Sequence, residues 1–362
     1  MIWLCNFAAG RGLIRLKLMK LQQLRYLVGV VDNGLNITAA AQALFTSQPG
    51  VSKQIRMLED ELSVQIFRRK GKSLSGLTEA GRDIVERARR ILSEVDNIKS
   101  LSSELSGQEA GEMSIATTHT QARYVLPELL EGFHDGFPGI SVRLHQGTSD
   151  QIARQVQDHE ADFAIASGRS DLFQDLVAFP IYNWERIVIA KAGHPLMGLN
   201  KPSLADIVKY PIISYTHSFD DGSELDLAFK EANMTPNVVF TAEDPDVIKT
   251  YVRKGMGVGI LACMAFDPER DPDLVAFNGA GLFPSSTTWV GFRKDRFLRD
   301  YMYAFIEMVA PQVSRDRIDE AIEEANKPNA KIPPVGRSLS MVNQHPRLGQ
   351  PFATCCSGEF NI

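Results

Sequence analysis

Apolar residues near the front of the chain recur with a helical period. Leu21, Leu24, Leu27, Val28 and Val31 fall on one face and are closed off by Asn33-Gly34, which predicts a first helix. Ile37, Ala40, Ala41 and Leu44 predict a short second helix whose alanines allow close packing. After a tight break at Phe45-Thr46, Ser47 is a suitable N-cap, and Pro49 sits in the first turn, where its missing N–H costs nothing. Val51, Ile55, Leu58 and Leu62 then form the buried face of a third helix. Gln48, Ser52 and Arg56 lie four apart on its opposite face, with Lys53 beside them. Gln65-Ile66-Phe67 and Ser73-Leu74-Ser75 read as two short strands around Arg68-Arg69-Lys70-Gly71-Lys72.

Thr78 can cap a long helix in which Ala80, Ile84, Ala88, Ile91, Val95, Ile98 and Leu105 recur at close to the 3.5-residue spacing of a coiled-coil seam. The same pattern also suits an amphipathic helix packed on its own domain. From Gly111 short apolar runs alternate with helical segments. Met113–Ala116, Ile140–Leu144, Asp162–Ala166, Ile187–Ala190, Ile212–Tyr215 and Val258–Leu261 predict strands of an α/β domain with mostly parallel sheets.

In such sheets ligands bind outside the carboxyl ends of the strands. Three polar clusters fall there: Thr117-Thr118-His119-Thr120-Gln121, Ser167-Gly168-Arg169 and Thr216-His217-Ser218-Phe219-Asp220. Hydroxyls beside free backbone N–H groups suit a small anion or carboxylate. Hydroxyl clusters also serve as ordinary helix caps, and the pattern alone leaves both readings open.

Length and composition bound the rest. At about 150 residues per domain, 362 residues imply two or three domains. No apolar run approaches the ~20 residues of a membrane span, so no membrane partner is expected. Four scattered cysteines make neither a disulfide framework nor a zinc site and favour a reducing cytoplasm. The formal net charge of -5 argues against nucleic-acid binding until its distribution is read. Residues 19–77 hold eight basic and four acidic side chains, a net of +4, and residues 1–18 add +3, which leaves -12 for the remainder. A basic module on an acidic body is the footprint of a protein whose front meets phosphates.

The third helix then fits a recognition helix, with Ser47, Gln48, Ser52, Lys53 and Arg56 able to approach base edges of double-stranded DNA in the major groove. Arg68, Arg69 and Lys72 are wing candidates for phosphate contacts, and Glu59-Asp60-Glu61 are expected past the end of the groove. No catalytic residue, metal site or cofactor is expected. Gly255-x-Gly257-x-Gly259 follows a helix and enters a strand, the reverse of a dinucleotide loop, and reads as a helix stop and tight turn. Cys263 ends an apolar strand and reads as a buried small hydrophobe. A solute-binding protein would share the α/β half but have no use for the basic front. An enzyme would need motifs that are missing here.

Ala40-Ala41, Leu44, Ser47-Gln48-Pro49, Val51-Ser52, Ile55, Leu58-Glu59, Leu62 and Phe67-x-Arg69 together resemble the winged helix-turn-helix signature of LysR-type transcriptional regulators, with Ser63 where glycine is usual. Thr117–Tyr124, Leu126-Pro127, His145-Gln146-Gly147, Asp162–Ala166, His194-Pro195-Leu196, Phe240–Val252 and Phe297-Leu298-Arg299 resemble the cysteine-biosynthesis (CysB/Cbl) branch of that family. The resemblance runs from about Met19 to Asp319.

Residues 1–18, with three basic and no acidic side chains in the wrong order for a signal peptide, read as an N-terminal extension. The resemblance implies a winged helix-turn-helix over 19–77 (helix-turn-helix about 37–56) and a linker and dimerisation helix over 78–107. It further implies a two-lobed effector domain like a periplasmic binding protein over 108–319, with lobe I at about 108–180 and 285–319 and lobe II at about 181–284. Pro328, Pro333, Pro334, Pro346 and Pro351 with little apolar periodicity predict a mostly disordered tail over 320–362. The branch implies a homodimer or homotetramer that activates sulfur-assimilation genes, with RNA polymerase as a candidate further partner. Its effector would be acetylserine-like, with sulfate or thiosulfate as alternatives. Thr118, Thr120 and Gln121 match the branch's ligand contacts. Ser167 stands where threonine is common, and Asp220 replaces a threonine with a carboxylate that would repel a bound anion unless it points away or is paired.

Overall fold

A computed structural model describes residues 19–71, 73–106, 110–168 and 170–327. The expectations for residues 1–18, Lys72, Arg169 and the chain beyond 327 lie outside the described residues. The chain divides into two compact units, residues 1–96 and 97–362.

The first unit opens with α1 (Leu21–Asp32), α2 (Ile37–Ala43) and α3 (Gln48–Leu62), as the apolar period predicts. Ser47 caps α3 by accepting from the Gly50 N–H at 3.3 Å. Leu24, Leu27, Val30, Val51, Ile55 and Leu58 make the core, but Leu62, expected among them, is 36% exposed at the helix end. The wing is β1 (Phe67–Lys70) paired antiparallel with β2 (Ser73–Leu77). Arg68, Arg69 and Lys70 are therefore strand residues, not loop residues. The ladder continues through them because Lys70 pairs with Ser73 across a tight turn at Gly71, whose φ is +65°.

The long helix is α4 (Glu79–Leu105). Thr78 accepts from the Gly81 N–H at 2.8 Å. Gly81 itself is required, since a Cβ there would lie 2.1 Å from the Ile66 carbonyl oxygen. Val85 and Ala88 are buried, whereas Ile91, Ile98 and Leu105 are 40%, 61% and 81% exposed.

The second unit continues with β3 (Gly111–Thr117), α5 (His119–Tyr124), α6 (Leu126–Gly136), β4 (Ile140–Gln146), α7 (Ser149–Gln157), β5 (Phe163–Ser167) and β6 (Val177–Trp184). Next come β7 (Arg186–Lys191), α8 (Leu204–Ile207), β8 (Ile212–Tyr215), α9 (Glu224–Glu231), β9 (Val238–Ala242), α10 (Pro245–Arg253), β10 (Val258–Ala262) and β11 (Leu274–Asn278). β12 (Ser286–Phe292), α11 (Asp300–Val309) and α12 (Arg315–Asn326) complete it. Two five-stranded sheets result, in the orders β4-β3-β5-β12-β6 and β11-β7-β10-β8-β9, one per lobe.

The expectation of mostly parallel sheets needs correction. β3 pairs parallel with β4 and β5, and β8 with β9 and β10. β5-β12, β12-β6, β7-β10 and β7-β11 are antiparallel. The cause is the double passage between lobes, because the returning strands arrive from the other sheet and not through a helical crossover. β6 contains Pro180, which has no N–H to donate to a ladder. It is tolerated because β6 is an edge strand with a register shift where it faces β12.

Two boundaries also move. The first passage between sheets falls at Glu185, between β6 and β7, because β6 stays paired with β12 through Trp184. The boundary placed at 319 cuts α12, whose Ile318, Ala321 and Ala325 are all buried against the domain.

The base of α4 is held within the second unit. Asn97 donates to the Asp295 carbonyl at 2.9 Å and accepts from Arg296 at 3.0 Å and from the Phe297 N–H at 3.2 Å. Arg296 also pairs with Asp162 at 2.8 Å, at the entry to β5. Gly255 has φ +75° and ends α10, and a Cβ on Gly257 would lie 2.3 Å from the Pro211 carbonyl oxygen. These glycines are thus a helix stop and a close turn, as their order along the chain implied.

Candidate functional site

Two sites can be built from the residues upward. In the first unit, Gln48, Lys53 and Arg56 are exposed on α3 and Ser52 is half-buried. The Gln48 amide donates to the Ser52 hydroxyl at 3.1 Å, so these two side chains present one joined polar surface. Ser47 serves as the helix cap, which commits its hydroxyl to the backbone. Arg68 is exposed on the wing. Arg69 is divided in its role, because its guanidinium donates to Glu59 at 2.9 Å. Glu59 does not lie past the groove in solvent. It is buried and accepts from the Ile66 and Phe67 N–H groups at 2.9 and 3.2 Å, which joins α3 to the wing.

In the second unit the carboxyl ends of β3, β5, β8 and β10 face a cavity of roughly 330 Å³. Thr118, Thr120, Gln121 and Ser167 all line it, so four of the five expected effector contacts come together. Thr118 caps α5 by accepting from the Gln121 N–H at 3.3 Å. Gln121 is buried and its oxygen accepts from the Tyr182 hydroxyl at 2.6 Å. Its nitrogen faces Thr288 and Ser167 at 3.4 and 3.5 Å. The Ser167 hydroxyl lies 2.8 Å from that of Thr288 and accepts from the Trp184 indole at 3.1 Å. On the opposite wall the Thr120 hydroxyl donates to the Tyr215 oxygen at 3.3 Å, which also accepts from the Ala262 N–H at 3.2 Å. Burial pushes the Tyr215 phenol up to about 12, so it stays a neutral hydroxyl.

Asp220 is the exception. It does not line the cavity; it sits 2.6 Å from the His217 ring nitrogen with 64% of its side chain exposed. His217 itself lines the cavity, so Asp220 stands behind a lining residue and its carboxylate is paired with that ring.

Pattern reading missed Trp184, Arg186 and Glu224. Arg186 donates to Glu224 at 2.7 Å and to the Pro284 carbonyl at 2.8 Å, and it lies 5.3 Å above the Trp184 ring. Ser286 donates to the same Glu224 oxygen at 2.7 Å. Arg186 begins an antiparallel strand, where the rule about carboxyl ends gives no signal. Among the described lining residues it is the one lysine or arginine, and its charge is already balanced. The wall therefore offers a bound molecule hydroxyls, an amide, aromatic faces, the imidazoles of His119 and His217 and the carboxylates of Asp150 and Glu243, rather than an unpaired lysine or arginine.

Residues 21–82 match the family described as bacterial regulatory helix-turn-helix protein, lysR family. Residues 106–314 match the LysR substrate binding domain. The regulator SsuR of Burkholderia cenocepacia is 46% identical over 85% of this chain and 100% of its own length. The regulator CysB of Haemophilus influenzae is 45% identical over 84% of this chain and 94% of its own. Among solved structures, the cofactor-binding domain of the Cbl transcriptional regulator superposes with a TM-score of 0.56 at 36% identity, covering 59% of this chain and 94% of that domain.

Proposed function

The chain belongs to the LysR family of bacterial DNA-binding regulators, and on that premise we propose that it is a cytoplasmic, CysB-like activator of sulfur-assimilation and cysteine-biosynthesis genes that responds to an acetylserine-like effector. The observation that carries this reading is the meeting of Thr118, Thr120, Gln121 and Ser167 around one cavity. Hydroxyls and a fixed amide suit the carboxylate and acyl oxygens of such a ligand. The paired state of Arg186 favours it over a bare dianion such as sulfate or thiosulfate, which would find no uncommitted fixed cation among the described lining residues.

The mechanism is a shift of population. An effector that binds one arrangement of the two lobes better than the other favours that arrangement by the difference in affinity. A dimer formed along the exposed apolar stripe of α4 would hold two recognition helices about one DNA turn apart, and altered spacing would change DNA bending. Gln48, Ser52, Lys53 and Arg56 would read the groove and Arg68 would bind phosphate, with RNA polymerase recruited at activated promoters.

A gel shift on a sulfur-assimilation promoter, with and without O- and N-acetylserine, tests the reading. Retarded DNA whose mobility or footprint changes with acetylserine supports it. Binding that ignores acetylserine but responds to sulfate supports a second reading, a Cbl-like sulfate-starvation regulator. That reading is favoured by the likeness to the Cbl cofactor-binding domain.

A further inference from the structure

Two segments that resemblance singled out, Thr117–Tyr124 and the Asp246–Val252 stretch, are not both used by the cavity. Thr118, Thr120 and Gln121 line it, but Arg123 and Tyr124 do not. The structure brings those two residues against α10 of the other lobe. The Tyr124 hydroxyl donates to Asp246 Oδ1 at 2.8 Å across 122 residues of sequence, and the Arg123 guanidinium pairs with the second oxygen of the same carboxylate. Lys249, with a side chain only 5% exposed, lies 3.0 Å from Asp246 Oδ1 and 2.9 Å from the buried Asp271, with its ammonium 5.3 Å from the Tyr124 ring centre. Asp271 accepts in turn from Arg253 at 2.5 Å.

The network is buried at Lys249 and Asp271 and opens to solvent at Arg123, and it contributes little net stability, because desolvation offsets attraction at the buried end and solvent screens the exposed end. What such a network can do is specify one registry between the elements that it joins. Here the elements are the six-residue helix α5 of lobe I and α10 of lobe II. Thr120 and Tyr124 are one turn apart on the same face of α5, separated by about 6 Å of helix rise. The near end of α5 meets lobe II through Thr120 and Tyr215, and its far end through Tyr124, Arg123 and Asp246.

We infer that Arg123, Tyr124, Asp246 and Lys249 form a latch between the lobes that positions Thr120 and Gln121 for the effector without touching it. Released from α10, the short α5 loses its reference to lobe II, and both its own order and the shape of the cavity wall change. The inference rests on the cavity being the effector site, and the test separates the two.

The experiment uses the full chain as wild type, Tyr124→Phe and Asp246→Asn. Calorimetric titration with O- and N-acetylserine is expected to show binding weakened about tenfold in both variants, within the range of couplings between distinct sites. Thermal unfolding of Tyr124→Phe is expected to stay close to wild type. Hydrogen–deuterium exchange of the unliganded protein is expected to be faster over 119–124 in both variants and unchanged over β3. If wild type binds neither acetylserine, the effector reading fails, while the exchange arm still decides the latch. Exchange over 119–124 unchanged in both variants, or a melting temperature that falls while affinity is kept, would overturn the inference.

Discussion

Arg69 on the wing donates to Glu59 on the recognition helix at 2.9 Å, and that carboxylate is 3% exposed. The pair makes an internal brace of one of the wing arginines, while its neighbour Arg68 remains exposed. Adjacent arginines in a basic wing therefore do different things. Arg68→Ala is expected to weaken binding to all DNA sequences alike and to reduce the slope of log affinity against log salt by about one. Arg69→Ala is expected to lower the urea midpoint as well, because Glu59 loses its cation. Glu59→Ala removes the acceptor of two backbone N–H groups and is expected to cost about 2–3 kcal/mol in the same measurement.

On the recognition helix, Arg56→Ala should change which sites are preferred as well as how tightly they are bound. Selection of binding sites from random DNA by wild type and variant checks this, and identical site preferences would remove Arg56 from base readout. Gln48→Ala should cost about 1–3 kcal/mol at the base it reads, and it also frees Ser52 from its 3.1 Å partner.

In the cavity, Tyr182→Phe leaves the buried Gln121 oxygen without its donor, at a cost of about 1–3 kcal/mol. A matching loss of acetylserine affinity is expected by calorimetry. Asp220→Thr is expected to change affinity by less than about twofold, because its carboxylate lies outside the cavity. A larger change would place Asp220 in effector choice after all.

Burial holds the pKa of His194 below its usual value of 6.5. Its ring also accepts from the Leu196 N–H at 3.2 Å, which requires an unprotonated nitrogen. The unfolded chain therefore takes up a proton near pH 6.5 that the folded chain refuses. This contribution to stability is whole above pH 6.5 and is lost as pH falls toward the folded value. His194→Asn keeps a capping acceptor without the titration and should flatten the dependence of the urea midpoint between pH 7 and 5.5.

The apolar stripe of α4 gives a prediction for assembly. Ile98→Glu should yield monomers by sedimentation at concentrations where wild type associates. Specific DNA affinity should drop toward that of a single recognition helix. Unchanged sedimentation would show that Ile98 lies off the interface.

Much of the molecule could be read along the chain. The three helices of the front, the Ser47 and Thr78 caps, the wing and the strands ending at Thr117, Ser167 and Tyr215 all follow from period, caps and turns, which are properties of neighbouring residues. The +4 charge of the front follows from the same local reading, while Thr118, Thr120, Gln121 and Ser167 are singled out by the family resemblance and by their place at strand ends. Other features depend on which distant segments meet. β6 survives its proline because the edge of a sheet needs no N–H there. Glu59 is buried because the wing folds over it. Arg186 faces the cavity because the chain passes between lobes at Glu185, and Asp220 is paired with His217 instead of lining the cavity. Helical and strand patterns report how a segment sits against an apolar core. Pairing across 122 residues, as between Tyr124 and Asp246, leaves no periodic trace, and only tertiary packing decides it.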